Sequence, residues 1–237
     1  MLATDLRCKG IIMRPDIVYE DNNIIICNKR PGTPSQSDKS FSSDLLGMVK
    51  TYGRENNKFK DVYIINRLDR PVGGLVLFAL NRQTAARLSA MTGEHSIEKN
   101  YYAVVKGNIT SAGELSDYLV KDTKLNISRL ASKEEEGARK ALLAYEPIES
   151  CETMYGAYTL VKIRLYTGRH HQIRVQFSSH GMPLYGDVKY NPDFENKKGV
   201  YPSLFAYSLT FNNPYGADRI HVDVKPEGHQ WDFEYFS

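Results

Sequence analysis

A polar segment between two apolar runs carries the side chains best suited to chemistry. Residues 62–65 and 75–80 are short runs of branched and aromatic side chains, which predicts two buried strands. Between them stands Asp69, with Arg67 two positions before it and Arg70 directly after it. Alternate residues of an extended chain face opposite ways, so Arg67 and Asp69 share one side of the segment. The sequence therefore predicts a carboxylate among guanidinium groups, held in a turn between strands.

Asp69 allows two interpretations. In the first, the segment is a surface turn with an internal Arg–Asp ion pair, which is also a common structural feature. In the second, Asp69 is a catalytic carboxylate. Burial would raise its pKa, and the neighbouring guanidinium groups would lower the pKa again and keep the group ionised. An ionised carboxylate can act as a nucleophile or as a base.

A second dense motif begins at Gly168 and runs to Asp187. Residues 171–179 have a helical pattern, and the glycine and proline that follow are typical of a helix end. On that helix His171 and Arg174 share a face. A helix N-terminus that carries a histidine and an arginine is a natural anion site.

The histidines of this motif do not predict a metal centre. His170 and His171 are adjacent, so both cannot easily face one ion from a helix, and no carboxylate or cysteine stands at ligand spacing to them or to His180. We therefore predict no metal site.

A third motif lies in residues 98–107, whose pattern predicts a strand. Its adjacent tyrosines, Tyr101 and Tyr102, would face opposite sides of a sheet. Both can be packing residues, which is the usual fate of strand tyrosines, or one can pack while the other lines a groove.

The remaining pattern is rich in strands with helices between them, which is typical of a mixed α+β domain. We expect one domain over residues 1–237, since no repeat or linker interrupts the chain. Residues 29–36 are either an ordinary connector or a basic lip near a substrate groove. The other predicted elements are a β-hairpin at 17–20 and 24–28, helices at 44–52 and 82–91 with Asn81 as the N-cap of the second, and strands at 115–120, 126–131, 139–145, 158–165, 204–211 and 219–224.

Composition sets weak limits on function. The 31 basic and 28 acidic residues give a formal net charge of +3, which permits nucleic-acid binding but requires a clustered basic face to argue for it. The three cysteines, Cys8, Cys27 and Cys151, show no disulfide or zinc spacing, which favours a reducing compartment. No apolar run reaches membrane-spanning length, and residues 10–13 are too short for a signal-peptide core. We expect a cytoplasmic monomer without a membrane segment.

Taken together and in order, the three motifs resemble those of the RluA-type RNA pseudouridine synthases. The matching stretches are Asn66-Arg67-Leu68-Asp69 with Val72-Gly73-Gly74, then Lys99-x-Tyr101-x-Ala103, then residues 168–187. The chain departs from the family pattern at Asn66, where histidine is usual, at Val72-Gly73, where Thr-Ser is commonest, and at Gln176, where histidine is usual.

The resemblance implies a fold and an activity. The fold would be the α+β pseudouridine synthase fold, with a mixed, mainly antiparallel central sheet flanked by helices and loops and the active site in a central cleft. The catalytic core would span about residues 17–226, without the S4-like N-terminal domain of some members. The activity would be isomerisation of a specific uridine in RNA to pseudouridine, with base flipping and no cofactor. Ribosomal RNA is the favoured substrate and transfer RNA the second.

The resemblance also implies roles for particular residues. Asp69 would be the essential carboxylate, Arg174 would pair with it, and Tyr101 would stack on the flipped uracil. Arg67 would enter the RNA stack where the base has left. The residues expected to contact RNA are Arg67, Arg70, Lys99, Arg169, His171 and Gln172.

Two other functions compete with this one. A catalytically silent RNA-binding protein of the same fold would account for the departures at Asn66, Val72 and Gly73. A glycoside hydrolase would need two carboxylates around the scissile bond, and the only other carboxylate in the motifs is Asp187.

Overall fold

The computed structural model describes residues 14–37 and 44–236, so Cys8 and residues 10–13 lie outside the described residues. No helix in these ranges is long and apolar enough to cross a membrane. The helices are α1 (Leu45–Glu55), α2 (Arg82–Gly93) and α3 (Gln172–Ser179), and short 3-10 turns lie at Pro192–Phe194, His229–Trp231 and Glu234–Phe236. The strands are β1 (Ile17–Glu20), β2 (Ile24–Lys29), β3 (Tyr63–Ile64), β4 (Gly73–Ala79), β5 (Glu98–Lys106), β6 (Gly113–Asp122), β7 (Ile127–Ala131), β8 (Arg139–Thr153), β9 (Gly156–Leu165), β10 (Leu204–Asn212) and β11 (Arg219–Asp223).

The strands form one mixed sheet in the order β1-β2-β4-β10-β5-β9-β8-β6-β7, with β3 paired to β4 and β11 paired to β10. The pairing of β4 with β10 is parallel, and the other pairings are antiparallel. The prediction of a mixed, mainly antiparallel sheet with flanking helices is confirmed.

The helix α2 begins at the predicted residue, and α1 begins one residue later than predicted. Asp44 caps α1 by accepting the N–H of Gly47 at 2.6 Å, and Asn81 caps α2 by accepting the N–H of Thr84 at 2.8 Å. The first helix runs three residues past its predicted end at 52 because Gly53 does not stop it. A Cβ at Gly53 would lie 2.2 Å from the ring of Phe59, so this glycine is a packing site inside the helix.

Strand β5 separates two cores. Tyr101, Ala103 and Val105 pack in the core that also contains Leu68, whereas Tyr102 and Val104 pack in the core on the opposite face. The prediction that the adjacent tyrosines face opposite ways is confirmed. Tyr101 is therefore presented to the same side as the loop that carries Asp69.

Gly74 lets β4 and β10 approach each other closely. Its φ is +114°, and a Cβ there would lie 2.2 Å from the carbonyl oxygen of Ala206 on β10. We expect Gly74→Ala to lower the free energy of unfolding by at least about 3 kcal/mol, from backbone strain and displacement of β10. Urea denaturation measures this loss.

The control is Gly93→Ala, at the end of α2, where no atom lies within 4 Å of an added Cβ. That change should raise the free energy of unfolding by about 0.5 kcal/mol, since alanine favours a helix. Equal effects of the two substitutions would contradict the role given to Gly74.

Candidate active site

The loop that joins β3 to β4 carries Asp69. Hydrogen bonds hold this loop at every second residue, at Asn66, Leu68 and Arg70. The side-chain oxygen of Asn66 accepts the N–H of Leu77 at 2.7 Å, so this side chain continues the pairing with β4. Two positions on, the hydroxyl of Ser35 donates to the carbonyl of Leu68 at 2.8 Å and accepts the N–H of Leu68 at 3.0 Å. Leu68 itself is buried in the core. These contacts leave the side chain of Asp69 on the open side of the loop.

Lys29 holds the same loop at Arg70, two residues after Leu68. Its ammonium donates to the carbonyl oxygens of Thr33, Arg70 and Arg30 at 2.8, 3.2 and 3.3 Å, and Lys29 is only 1% exposed. Three acceptors match the three N–H groups of an ammonium. Burial lowers the pKa of Lys29 to about 7, against the opposing charge of Asp69. Lys29 is therefore a buried clamp that joins residues 29–36 to the Asp69 loop. Its side chain is not part of a basic lip at the surface.

Asp69 is held through one of its two oxygens. Oδ2 lies 3.4 Å from Nη1 of Arg174 and 3.5 Å from Nε2 of His171. In the part of the chain that the structure describes, no residue donates a hydrogen bond to Oδ1. Arg70 turns away, because its Nε donates to the carbonyl of Gly32 at 2.9 Å. The guanidinium beside Oδ2 thus comes from Arg174 on α3, as the family resemblance implied, and Arg70 does not take part.

Arg174 has a second and closer partner. Its Nε and Nη2 donate to the two carboxylate oxygens of Asp187 at 2.7 Å each, and the two residues are 3% and 0% exposed. Burial acts to lower the pKa of Arg174, but the hydrogen bonds and charge of Asp187 outweigh burial and raise it. The predicted contact with Asp69 exists, but Asp187 is the principal partner and Asp69 receives the remaining Nη1.

Asp187 also closes the turn in which the sequence placed it, since its Oδ1 accepts the N–H of Lys189 at 3.0 Å. Its carboxylate is fully buried and fully engaged. It cannot serve as the second carboxylate of a glycoside hydrolase, because a substrate cannot reach it.

The N-terminus of α3 differs from the prediction in two respects. The helix begins at Gln172, one residue later than predicted, because His171 has φ 54° and stands outside the helix. Gln172 was predicted to contact RNA, but its Oε1 accepts from the hydroxyl of Thr167 and the N–H of Arg169, at 2.8 and 3.0 Å. Its amide also donates to the carbonyl of Leu142. The structure assigns Gln172 to holding this loop.

His171 is buried beside Asp69 and its ring stacks on that of His170, with centroids 3.8 Å apart. Burial, followed by the charge of Arg174, lowers the pKa of His171 to about 2. The ring is therefore neutral at physiological pH, and any contact of His171 with RNA would be made without a positive charge. Among the described residues, no group of three or more His, Cys, Asp or Glu side chains is placed to hold a metal ion.

A pocket of about 100 Å³ lies between Asp69 and Tyr101, with Leu165 and Leu204 as apolar walls. Tyr101 is 7% exposed, and no described residue forms a hydrogen bond with its hydroxyl. Burial raises the pKa of Tyr101, followed by the charge of Asp69, so the phenol keeps its proton. The pocket thus offers a flat ring, apolar walls and one carboxylate.

The pocket opens into a cleft of about 1090 Å³ that carries the clustered basic face. The lysines and arginines that line this cleft are Arg67, Arg70, Lys99, Lys121 and Arg169. Four of these were predicted from the motifs. Lys121 was missed because it lies on β6, outside all three motifs. A basic cleft around a small pocket is typical of a site for a polyanion with one buried group.

Comparisons with known proteins agree with this arrangement. A family model described as RNA pseudouridylate synthase matches residues 23–179. The tRNA pseudouridine synthase C of Haemophilus ducreyi is 32% identical over 227 residues, which cover 90% of this chain and 91% of that protein. The Ribosomal large subunit pseudouridine synthase C of Rickettsia bellii is 27% identical over 210 residues, covering 88% of this chain and 67% of that protein. The solved structure of Human RNA Pseudouridylate Synthase Domain Containing 1 shares the fold, with a TM-score of 0.75 and 20% identity over 92% of this chain and 85% of that one.

Proposed function

This chain belongs to the RNA pseudouridylate synthase family, and we propose that it isomerises one uridine of a folded RNA through Asp69, after that uridine is turned out of its stack. In this reaction the N1–C1′ bond of the uridine breaks, the uracil turns, and C5 bonds to C1′. The C5 hydrogen leaves as a proton and N1 gains a proton, so atoms and electrons balance.

The observation that carries the proposal is the state of the Asp69 carboxylate. Its Oδ2 lies beside Arg174 and His171, whereas no described residue donates a hydrogen bond to its Oδ1, and Asp69 lines the pocket. A carboxylate that is oriented through one oxygen can act through the other. It can attack a carbon or take a proton, and it can stabilise positive character on the sugar as the glycosidic bond breaks.

The shape of the site supports base flipping. A uracil inside an RNA helix cannot reach a small pocket, and extruding it costs a few kcal/mol. The ring of Tyr101 offers a stacking surface for the extruded base, with Leu165 and Leu204 beside it. Arg67 is exposed at the edge of the same pocket, which suits a side chain that takes the place of the base in the stack.

The departures from the family pattern have local explanations that support an active enzyme over a silent RNA-binding protein. Asn66 fastens the loop of Asp69 to β4. Val72 is buried in the core next to the pocket. A Cβ at Gly73 would lie 3.0 Å from the ring of Phe205, so a small residue suits this position.

Two RNA classes are candidates as the substrate. The expectation from the sequence favoured ribosomal RNA on family frequency, and the relatives carry names of both kinds. The relatives of nearly the same length are named tRNA pseudouridine synthase C, and those named for the large ribosomal subunit are longer, as is one further protein named tRNA pseudouridine synthase C. We therefore place transfer RNA first among substrates to test and ribosomal RNA second.

The test uses transcripts of transfer RNA and ribosomal RNA that carry tritium at uracil C5. Isomerisation releases that tritium to water, and the release reports the reaction directly. We expect release by the wild type and none by Asp69→Asn. Binding of RNA without any release would favour the silent RNA-binding protein, and failure of both would contradict the proposal.

Substitutions at Tyr101 test the stacking role. Tyr101→Phe keeps the ring and should retain kcat within about tenfold of wild type. Tyr101→Leu removes the flat surface and should lower kcat/KM by about 10- to 100-fold, because stacking on an aromatic ring is worth about 1–3 kcal/mol per base. Tritium release measures both, and thermal melting checks that the buried site has stayed folded. Equal losses in the two variants would argue against stacking.

A further inference from the structure

Tyr190 contacts both of the side chains that hold the carboxylate of Asp69. The guanidinium carbon of Arg174 lies 5.2 Å from the centre of the Tyr190 ring. The hydroxyl of Tyr190 lies 2.8 Å from Nδ1 of His171, and the two rings meet edge to face. Tyr190 lies three residues after Asp187, beyond the motif that ends there.

The hydrogen bonds of the Tyr190 hydroxyl fix the position of its proton. This oxygen accepts the backbone N–H of Ser128 at 2.7 Å. A phenol has one proton to donate, and burial raises the pKa of Tyr190, so that proton is present at neutral pH. Within residues 14–37 and 44–236, the only acceptor placed to receive it is Nδ1 of His171. The proton of Tyr190 therefore points to Nδ1.

The tautomer of His171 follows from this contact. A nitrogen that accepts a hydrogen bond carries no proton, so Nδ1 is unprotonated. The ring is neutral and holds one proton, which must then be on Nε2. Nε2 faces Oδ2 of Asp69 at 3.5 Å. The chain of contacts runs from the backbone of Ser128 through Tyr190 and His171 to the carboxylate.

We propose that, for the reaction proposed above, Tyr190 is a positioning residue whose hydroxyl holds His171 in the tautomer with its proton on Nε2, facing Asp69. In this tautomer the N–H dipole of a neutral ring lies 3.5 Å from Oδ2, which favours the carboxylate without adding a second positive charge beside Arg174. The other tautomer would place an unprotonated nitrogen against the carboxylate, and the two lone pairs would repel.

Tyr190 is itself fixed by several elements. Its carbonyl accepts the hydroxyl of Ser178, on α3, at 2.6 Å. Its N–H donates to Oδ1 of Asp187 at 3.3 Å, and its own hydroxyl accepts from Ser128 on β7. The backbone of Tyr190 is thus held at two points and its hydroxyl at a third, which fixes the position of the ring beside His171.

The first experiment removes only the hydroxyl. Tyr190→Phe keeps the ring against His171 and Arg174 and should lower kcat about tenfold, with KM for RNA within about twofold of wild type. Tyr52→Phe is the matched control, since Tyr52 is a half-buried tyrosine on α1 whose hydroxyl bonds to Glu20 and which does not line the cleft. The control should leave kcat unchanged.

The second experiment separates positioning from general support of the fold. In His171→Gln, an amide N–H can take the place of Nε2–H whatever residue stands at 190. Tyr190→Phe should therefore have almost no further effect on kcat in the His171→Gln background. Additive losses in the two variants would overturn the proposal.

The third experiment reads the tautomer without an activity assay. Nitrogen-15 NMR of histidine-labelled protein should show Nδ1 of His171 unprotonated and Nε2 protonated in the wild type, and a mixture of tautomers in Tyr190→Phe. Protonated Nδ1 in the wild type, or no change in the variant, would overturn the proposal. A wild type that releases no tritium would instead contradict the proposed function, whatever the NMR result.

Discussion

Asp69→Asn is expected to lower kcat by at least about 1,000-fold while the protein stays folded and binds RNA. The amide has the shape of the carboxylate but cannot supply a negative charge or a basic oxygen to the pocket, and groups of this kind contribute about 10²–10⁴-fold each. Arg174 keeps its two hydrogen bonds to Asp187 in this variant, so the buried charge stays paired. Single-turnover tritium release with excess enzyme measures the loss in the chemical step.

The control for Asp69→Asn is Arg67→Gln, at the edge of the same pocket. Under the proposal that Arg67 acts on bound RNA, Arg67→Gln should weaken the use of RNA and raise KM. It should still release tritium, unlike Asp69→Asn. Thermal melting should give nearly the same midpoint for wild type, Asp69→Asn and Arg67→Gln. Turnover in Asp69→Asn comparable to that of the wild type would contradict the assignment of Asp69.

Asp187→Asn is expected to have the largest effect on stability. It leaves the buried guanidinium of Arg174 without its principal partner, and breaking a buried ion pair by removing one member costs about 3–5 kcal/mol. Activity should also fall on the order of 100-fold, because Arg174 is no longer held in place beside Asp69 and small misplacements in an active site have effects of this size. Urea denaturation and tritium release measure the two effects separately.

A matched surface substitution is Glu98→Gln, which breaks the exposed pair with Arg219 and should cost less than about 1 kcal/mol. The double variant Arg174→Met with Asp187→Asn removes the buried cation as well. It should be more stable than Asp187→Asn alone but no more active. Recovery of activity together with stability would show that Arg174 only supports the fold.

Local patterns in the sequence predicted the elements of the fold well. Asp44 and Asn81 marked the starts of α1 and α2, and the alternation around Tyr101 and Tyr102 assigned the two tyrosines to opposite faces. These features depend on neighbours a few residues apart. The end of α1 was wrong because Gly53 packs against Phe59, and a helix-breaking residue can be retained when tertiary packing requires it.

The site was predicted in part. The motifs named Asp69, Tyr101 and Arg174, and the structure brings all three to one pocket. The pairing of Arg174 with Asp187 was missed because a carboxylate after a glycine also fits an ordinary turn, and Asp187 fills both roles. The clamp formed by Lys29 was missed because its three acceptors are backbone oxygens, which leave no trace in side-chain patterns.

The order of the strands has a consequence for the timing of folding. Strand β10 lies between β4 and β5, although it follows both in the chain by about a hundred residues. The strands next to Asp69 and Tyr101 are therefore joined only when Leu204–Asn212 is inserted between them. Pairings of such long sequence separation form late and slowly. During synthesis, the pocket cannot close until β10 has left the ribosome, so the site around Asp69 and Tyr101 cannot form before residue 212 has been added to the chain.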